Sequence, residues 1–180
     1  MKKVIRKIFF VWQFDKEEKW LNEQAAKGLQ LCRVGFFKYT FEEGLPGEYI
    51  YRLELLDKRP THKESVQYIQ FLEDTGARHI ATYMNWVYFC KKAGAGGFDL
   101  FSDNSSRVRH LNRIIFLMWL LAGVNLFNGI NNICLWQVSV MHSTLPISLL
   151  CFAVSLLLLY GILRLFSKRS KLKKEMRLHE

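Results

Sequence analysis

The amino-acid sequence predicts an α+β protein, in which a ferredoxin-like β-α-β-β-α-β soluble domain is followed by a hairpin of two transmembrane helices. Over the first 92 residues, strand-like and helix-like hydrophobic periodicities alternate. Residues 114–163 then contain no Lys, Arg, Asp or Glu, although 23% of the chain is charged. One membrane crossing needs about 20 apolar residues, so this stretch is long enough for two. Basic residues cluster at both of its ends, as is typical of cytoplasmic flanks.

The first half of the soluble domain begins with a strand over residues 4–14, which are rich in β-branched and aromatic side chains. Asp15, with Glu18 three residues later, has the spacing of a capping box and predicts the start of a helix. Gly28 predicts its end, because glycine readily adopts the left-handed conformation that closes helices.

Two extended segments follow, over residues 29–41 and 48–56. They are joined by EEGLPG, in which Pro46 and Gly47 favour a turn. We therefore expect these segments to form a β-hairpin.

A second helix is predicted by the capping-box spacing of Thr61 and Glu64, and it ends at Gly76. A last strand over residues 77–91 completes the domain. Gly76 follows Gly28 by 48 positions, and each glycine comes at the same distance after an aromatic-aliphatic pair. This internal similarity agrees with a ferredoxin-like fold, which is built from two similar halves.

Four antiparallel strands with both helices on one face would bury the apolar stripe of each helix. The stripes are Trp20, Leu21 and Ala25 in the first helix, and Val66, Ile69, Phe71 and Leu72 in the second. The other face of such a sheet would be open to a protein partner. The aromatic residues expected on that docking face are Tyr49, Tyr51, Trp86 and Tyr88.

The same patterns set the domain boundaries. These are 1–92 for the cytosolic domain, 93–113 for a linker and juxtamembrane helix, 114–136 and 145–166 for the transmembrane helices, 137–144 for an extracytoplasmic loop, and 167–180 for a basic cytoplasmic tail. Asp103 is positioned to cap the juxtamembrane helix. The loop carries no charge apart from a proton on His142, so both termini of this multi-pass cell-membrane protein are predicted to be cytoplasmic.

We interpret the basic residues on the two flanks mainly as groups that keep both ends of the transmembrane hairpin in the cytoplasm. Binding to anionic lipid headgroups is the alternative, at about 1 kcal/mol for each side chain. The juxtamembrane basic residues are Arg107, Arg109, Arg113, Lys168, Arg169, Lys171, Lys173 and Lys174.

Three amides lie within about 60° of one another on the first transmembrane helix, namely Asn125, Asn128 and Asn132. Amides are poorly solvated by lipid, so we expect them to contact Ser148 and Ser155 of the second helix or a second copy of the chain. Alternatively, the three amides could bind a polar ligand or line an ion path, but no ionisable residue accompanies them.

No residue pattern points to catalysis. The four cysteines have no pairing or metal-ligand spacing, the five histidines are scattered, and no phosphate-binding loop or nucleophile motif is present. We therefore expect no enzymatic activity, no metal and no cofactor. Residues 1–92 hold 16 basic and 12 acidic residues, a net charge of +4, which disfavours nucleic-acid binding.

Five segments, taken in order, resemble the bacterial family called Domain of Unknown Function 2812, or DUF2812. They are EEKWLNEQAAKGLQL, YTFEEGLPGEYIYRLELL, QYIQFLEDTGA, NWVYFCKK and FDLFSDNSSRVRHLNRI, and the resemblance covers residues 1–113. It implies a cytosolic domain followed by membrane spans, often encoded beside a PadR-like transcriptional regulator, and it implies no biochemical activity. Residues singled out by the resemblance, with structural roles implied, are Trp20, Leu21, Gly28, Gly44, Tyr49, Tyr51, Arg52, Gly76, Trp86 and Phe89.

Taken together, these patterns predict a membrane-anchored, non-enzymatic regulatory or interaction protein. Its expected partners are the lipid bilayer and a protein, either a PadR-like regulator or a membrane complex, together with a second copy of the chain. The alternatives are an accessory subunit of a membrane transporter complex and an enzyme with an unrecognised site.

Overall fold

The computed structural model describes residues 2–95, 98, 100, 104–138 and 144–178. The chain forms two compact units, Met1–Ser102 and Asp103–Glu180. The first unit contains β1 (Lys2–Arg6), α1 (Phe14–Ala26), β2 (Leu29–Gly35), β3 (Lys38–Glu43), β4 (Tyr49–Leu55), α2 (Lys63–Asp74), β5 (Arg78–Tyr83) and β6 (Trp86–Lys92). The second contains α3 (Asn104–Val138) and α4 (Thr144–Leu178). The fold is thus mixed α/β with two long apolar C-terminal helices.

The strands of the first unit form two antiparallel three-stranded sheets, in the orders β1-β3-β2 and β4-β6-β5. The single four-stranded sheet of a ferredoxin-like fold is therefore not confirmed. Each long strand expected over residues 29–41 and 77–91 is a two-stranded hairpin instead. The hairpin expected between residues 29–41 and 48–56 is wrong, because β3 and β4 belong to different sheets.

The two tight turns that split these strands have hydrophobic residues at the positions with positive φ. Phe36 and Phe37 connect β2 to β3, and Met84 and Asn85 connect β5 to β6. Phe37 and Met84 have φ angles of +51° and +54°. Positive φ usually selects glycine or asparagine, so hydrophobic residues at these positions give no turn signal in the sequence.

The two sheets are related by an internal repeat, since the order β-α-β-β occurs twice. Gly28 and Gly76 both follow a helix with positive φ, of +79° and +87°. The register of β2 shifts between Leu31 and Arg33, and that of β5 shifts between His79 and Ala81. Both pairs of positions are 48 residues apart, so the internal similarity in the sequence corresponds to a repeated β-α-β-β unit.

One hydrophobic core joins α1 to both sheets. Its buried members are Trp20, Leu21, Ala25, Leu31, Val34, Tyr39, Phe41, Tyr51, Leu53, Tyr88 and Cys90. Fully burying each large apolar side chain stabilises the fold by about 1.5–3 kcal/mol. The predicted stripe of α1 is confirmed, whereas α2 buries Leu72 but leaves Val66 and Phe71 exposed.

Helix starts differ slightly from the predicted ones. Helix α1 begins at Phe14, which places Asp15 in its first turn rather than at the cap. The N-cap of α2 is His62 instead of Thr61, and His62 Nδ1 accepts a hydrogen bond from the Glu64 amide over 3.3 Å.

Edge strand β4 is covered by side chains of α1. The Asn22 amide pairs with the Tyr51 backbone, accepting from its N–H over 2.7 Å and donating to its carbonyl over 3.1 Å. Glu18 accepts from Leu53 N–H over 3.2 Å and forms an ion pair with Arg52 at 3.2 Å. These groups take the hydrogen-bonding positions of a neighbouring strand and protect the edge from other chains.

In the second unit, α3 and α4 are both long and apolar enough to cross a membrane, over Ser106–Gln137 and Thr144–Lys174. The predicted cap Asp103, residues 139–143 of the predicted loop, and residues 179–180 lie outside the described residues. Helix α4 extends through most of the segment predicted as a basic tail.

The two long helices contact each other through small residues. Ser155 Oγ donates to the Ala122 carbonyl over 3.3 Å. Gly129 is so close to α4 that an added Cβ would lie 3.2 Å from the Phe152 ring and 3.4 Å from Cys151 Cβ. Close approach through Gly, Ala and Ser is typical of helix pairs in membranes.

Candidate ligand cavity of the soluble unit

An aromatic cavity of about 210 Å³ lies in the first unit. It is formed by the segment that leads into α1, by the β2–β3 turn with its flanking strands, and by the β5–β6 turn with its flanking strands. Of its fourteen lining residues nine are aromatic, and one, Glu17, carries a carboxylate. The lining residues are Phe9, Phe10, Val11, Phe14, Glu17, Val34, Gly35, Phe36, Phe37, Tyr39, Tyr83, Met84, Trp86 and Tyr88.

Packing between aromatic rings fixes the walls. The Phe9 ring lies 5.5 Å from Trp20 and 6.3 Å from Tyr39, measured between ring centroids. The Phe14 ring lies 6.0 Å from that of Trp86. Tilted and edge-on arrangements at these separations are favourable beyond the burial of area. The walls are therefore held in place by rings from both sheets and from α1.

Glu17 is the polar centre of the cavity. The residue is only 9% exposed, and its Oε1 atom accepts hydrogen bonds from the Tyr39 and Tyr88 hydroxyls, each over 2.8 Å. Tyr39 comes from the first sheet and Tyr88 from the second. One carboxylate oxygen thus links α1 to both repeats.

The surroundings of Glu17 disfavour its charge. Burial raises the pKa of the Glu17 carboxyl above 4.5, while the hydrogen bonds from Tyr88 and Tyr39 oppose that rise. Burial, together with the adjacent carboxylate, raises the pKa of both tyrosines well above the usual range. Both hydroxyls therefore stay protonated and donate to Glu17 at neutral pH.

The rim of the cavity exposes apolar side chains to solvent. Phe36 is 71% exposed and Met84 is 76% exposed, and Phe10 and Phe37 are also exposed. Phe37 and Met84 are the two non-glycine residues with positive φ in the described part of the chain. Such strained conformations cost about 1–3 kcal/mol and cluster at functional sites. Both strained residues line this one cavity.

The residues expected on an open docking face have other roles. Tyr51 and Tyr88 are 1% and 3% exposed, so neither can contact a partner on a flat sheet face. Tyr51 Oη accepts from the Leu31 amide over 2.9 Å, and Tyr88 binds Glu17. Trp86 lines the cavity, while Tyr49 is covered by the Arg78 guanidinium at 5.0 Å. The expected flat face is replaced by a concave site because the sheet is divided.

Glu17 was absent from the sequence-based sites. A signal for Glu17 is present, because its position three and four residues before Trp20 and Leu21 places it on the apolar stripe of α1. An acidic residue on a buried stripe is uncommon, so the pattern alone points to a special environment. The convergence of two tyrosines on it depends on the tertiary fold.

On α3, the three asparagines bond within their own helix. The side-chain amides of Asn125, Asn128 and Asn132 donate to the carbonyls four residues before them, over 2.8–2.9 Å. At 100° per residue, the three lie about 80° around α3 from Ala122 and Gly129, which contact α4. Asn128 is exposed and the other two are half-buried. The structure thus separates the asparagines from Ser155, whose hydroxyl bonds to Ala122.

Among the predicted basic residues, Arg169 makes contacts within the helical pair. Its Nη1 donates to Asn112 Oδ1 of α3 over 2.9 Å, and its guanidinium lies 4.5 Å from the Phe166 ring centroid. Arg109 donates to Ser106 Oγ over 2.7 Å. The other positions predicted as basic flank are Arg107 and Arg113 on α3 and Lys168, Lys171, Lys173 and Lys174 on α4.

No group of three or more His, Cys, Asp or Glu side chains that could hold a metal ion occurs among the residues that the structure describes. The four cysteines are unpaired by disulfides. Burial raises the pKa of Cys90, so its thiol stays protonated at neutral pH.

Comparison with known proteins identifies a family. A family model described as a protein of unknown function, DUF2812, matches residues 13–124. No curated protein and no solved structure matches the chain. The matched range begins just before α1 and ends within α3, so it includes Glu17, Tyr39 and Tyr88. It covers more than half of the chain, and the protein belongs to the DUF2812 family.

Proposed function

We propose that this protein is a membrane-anchored, non-enzymatic regulatory protein whose soluble unit binds a small ligand in the aromatic cavity. The main support for the proposal is that nine aromatic residues surround a single buried carboxylate in a cavity of about 210 Å³. Apolar concave sites with few, fixed polar groups are typical of ligand-binding pockets. The volume suits a ligand with a single ring or a short branched chain.

Binding accounts for these groups better than catalysis does. General acid-base chemistry needs a group whose pKa lies near the working pH and a second group beside the substrate. Burial raises the pKa of Glu17 toward neutrality, but Glu17 is the one carboxylate that lines the cavity. Tyr39 and Tyr88 have pKa values raised further from neutrality, so they serve as fixed donors to Glu17. The arrangement supports a preorganised carboxylate rather than a proton relay.

Titration of the full chain in lipid nanodiscs tests the binding site. Suitable probes share a phenyl ring and the same number of non-hydrogen atoms: benzyltrimethylammonium as cation, N,N-dimethylbenzamide as neutral compound and hydrocinnamate as anion. We expect saturable binding of at least one probe by calorimetry. The double substitution Phe14→Ala/Trp86→Ala should weaken that binding about tenfold or more, because each deletion removes buried contact area.

Phe71→Ala is the matched control, since Phe71 is an aromatic residue of the same unit that is 61% exposed and does not line the cavity. It should leave the affinity unchanged. If no probe binds, or if the two variants have equal effects, the cavity is not a ligand site and the proposal fails.

Membrane anchoring through α3 and α4, with both termini in the cytoplasm, is part of the proposal. It is supported by the length and apolarity of the two helices and by the basic residues at the start of α3 and the end of α4. Alkaline phosphatase, which is active outside the cytoplasm, should be active when inserted at residue 140 and inactive when fused after residue 180. The reverse pattern would overturn the orientation.

The partner that we propose is a PadR-like transcriptional regulator, on the basis of the genes that often accompany the family. Ligand binding in the cavity would then change the affinity of the soluble unit for this regulator. The full chain in detergent should retain a purified PadR-like regulator encoded beside it, and the retained amount should change when a bound probe is added. No retention in either condition would rule out this partner.

An accessory role in a membrane complex is the second candidate, favoured by the asparagine stripe of α3. Three amides that lie about 80° around α3 from the small-residue contact with α4 would be poorly solvated by lipid unless another helix covers them. Replacing Asn125, Asn128 and Asn132 together by Leu should reduce crosslinking between copies of the chain or to a complex. Asn131→Leu is the control, because Asn131 is an exposed amide about 90° away from the stripe. Equal crosslinking in both variants would remove this candidate.

A further inference from the structure

We propose that the cavity selects an organic cation, a quaternary or protonated amine with an aromatic or branched alkyl body, and that Glu17 is its counter-charge. This inference rests on the proposed function of the cavity as a ligand site. It adds the charge and the chemical class of the ligand, and it identifies the residue that distinguishes a cation from neutral compounds of the same shape.

Among the residues that the structure describes, Glu17 has no positive partner, since no Lys or Arg forms an ion pair with it. The next residue, Glu18, has Arg52 at 3.2 Å. A buried carboxylate without a cation is costly, because it loses hydration that the two tyrosine hydroxyls replace only in part. A ligand cation would supply the missing charge.

The two oxygens of the Glu17 carboxylate differ in their hydrogen bonds. Both tyrosine hydroxyls donate to Oε1, and Oε2 accepts no hydrogen bond from any described residue. Tyr39 and Tyr88 therefore fix the orientation of the carboxylate while leaving one oxygen for a further donor or positive charge. That oxygen belongs to a side chain that lines the cavity.

The aromatic walls of the cavity also favour a cation. Aromatic faces attract cations through the ring quadrupole, and rings arranged around a site form the cages that recognise quaternary ammonium groups. One lining ring already makes such a contact, because Lys7 Nζ lies 5.2 Å from the Phe9 ring centroid. Trp86, Tyr83 and Phe14 provide further rings around Glu17.

The other charge classes fit less well. An anion would be repelled by Glu17 in a site with little water, where charges interact strongly. A neutral apolar ligand would exclude water from the carboxylate and leave its charge uncompensated. Either ligand would bind only when Glu17 is protonated, whereas a cation binds the ionised form.

Isothermal titration of the full chain in nanodiscs at neutral pH decides between these classes. We expect benzyltrimethylammonium to bind at least tenfold more tightly than N,N-dimethylbenzamide, and hydrocinnamate to bind most weakly. Glu17→Gln should reduce affinity for the cation at least tenfold, because the amide keeps an oxygen for both tyrosines but has no charge. Affinity for the neutral probe should be unchanged or higher, which also reports that the variant is folded.

Glu23→Gln is the control, since Glu23 is an exposed carboxylate on the same helix. It should leave all three affinities unchanged. If the neutral or anionic probe binds as tightly as the cation, or if Glu17→Gln binds the cation normally, the cation inference is overturned while the ligand site stands. If the Gln variant does not fold, the comparison of the three probes on the unaltered chain decides alone. If none of the probes binds, both the inference and the proposed function fail.

Discussion

Tyr88 and Glu17 are 71 residues apart in the chain, yet the Tyr88 hydroxyl donates a 2.8 Å hydrogen bond to Glu17 Oε1. Tyr88 lies on the central strand of the second sheet and Glu17 on the helix of the first repeat. The bond therefore joins the two β-α-β-β units at the cavity itself. Changes to the ionisation of Glu17 should affect both the stability of the soluble unit and ligand binding.

The stability of the soluble unit should depend on the charge of Glu17. An acid whose pKa is higher in the folded than in the unfolded state stabilises the fold most at pH below the unfolded pKa, and this contribution is lost as pH rises through the folded pKa. The Glu17 pKa is raised by burial. We therefore expect Glu17→Gln to gain stability relative to the unaltered chain between acidic and neutral pH.

Thermal unfolding followed by near-ultraviolet circular dichroism at a series of pH values measures this difference. Glu23→Gln, on the exposed side of the same helix, should show no such trend. A constant difference between Glu17→Gln and the unaltered chain across the pH range would contradict the buried, uncompensated carboxylate.

The stability of the fold should depend on the hydrogen bonds that Asn22 makes to the edge strand β4. Asn22→Ala removes two hydrogen bonds to the Tyr51 backbone and leaves its N–H and carbonyl without these partners. We expect a loss of about 2 kcal/mol in the free energy of unfolding, since each such bond contributes about 1 kcal/mol. Asn22→Asp should also destabilise the strand, because the carboxylate still accepts from the Tyr51 amide but sets an oxygen against the Tyr51 carbonyl, to which Asn22 donates. Denaturant titration would contradict the edge interaction if the Ala variant were as stable as Glu23→Ala.

The two helix-ending glycines of the repeat should differ in their tolerance of alanine. Gly28 and Gly76 both have positive φ, which costs a residue with a Cβ about 1–2 kcal/mol. A Cβ on Gly28 would also lie 2.8 Å from the Gly44 carbonyl oxygen, whereas on Gly76 it would meet only Lys91 Cε at 3.8 Å. Gly28→Ala should therefore destabilise the fold by about 1–3 kcal/mol more than Gly76→Ala. Equal unfolding midpoints would contradict the close approach at Gly44.

Replacing the strained turn residue Met84 should stabilise the fold and weaken ligand binding. Met84→Asn should raise the free energy of unfolding by about 0.5–1 kcal/mol, because asparagine tolerates positive φ. It should also weaken probe binding, since it removes an apolar side chain from the cavity. Leu45→Asn is the control, being similarly exposed without positive φ. A Met84→Asn variant with no change in stability would show that the turn is not strained.

The sequence predicted features that depend on local pattern. The positions of Gly28 and Gly76, the apolar stripe of α1 and the two long apolar helices all follow from periodicity and residue type. The divided sheet did not follow, because Phe37 and Met84 adopt a backbone conformation for which their side chains give no signal. Strands that appeared continuous in the sequence were therefore hairpins.

Some residues of the candidate site could be predicted from the sequence, but their arrangement around Glu17 could not. Trp86 and Tyr88 were recognised as aromatic residues near a binding surface, but a flat sheet was assumed. Glu17 becomes a site residue only when Tyr39 and Tyr88 from separate sheets meet its carboxylate, and such long-range convergence leaves no spacing in the sequence. The unusual position of an acid on a buried stripe was the one local indication.

If an ionised Glu17 holds a cation in the aromatic cavity, as we propose, the affinity for benzyltrimethylammonium must depend on pH. This probe has a permanent charge, and Tyr39 and Tyr88 stay protonated over the acidic range. Affinity should be constant above the pKa of Glu17 and fall about tenfold for each pH unit below it, whereas Glu17→Gln should show weak, pH-independent binding. An affinity of the unaltered chain that does not change with pH, or an equal fall in the Gln variant, would contradict the claim.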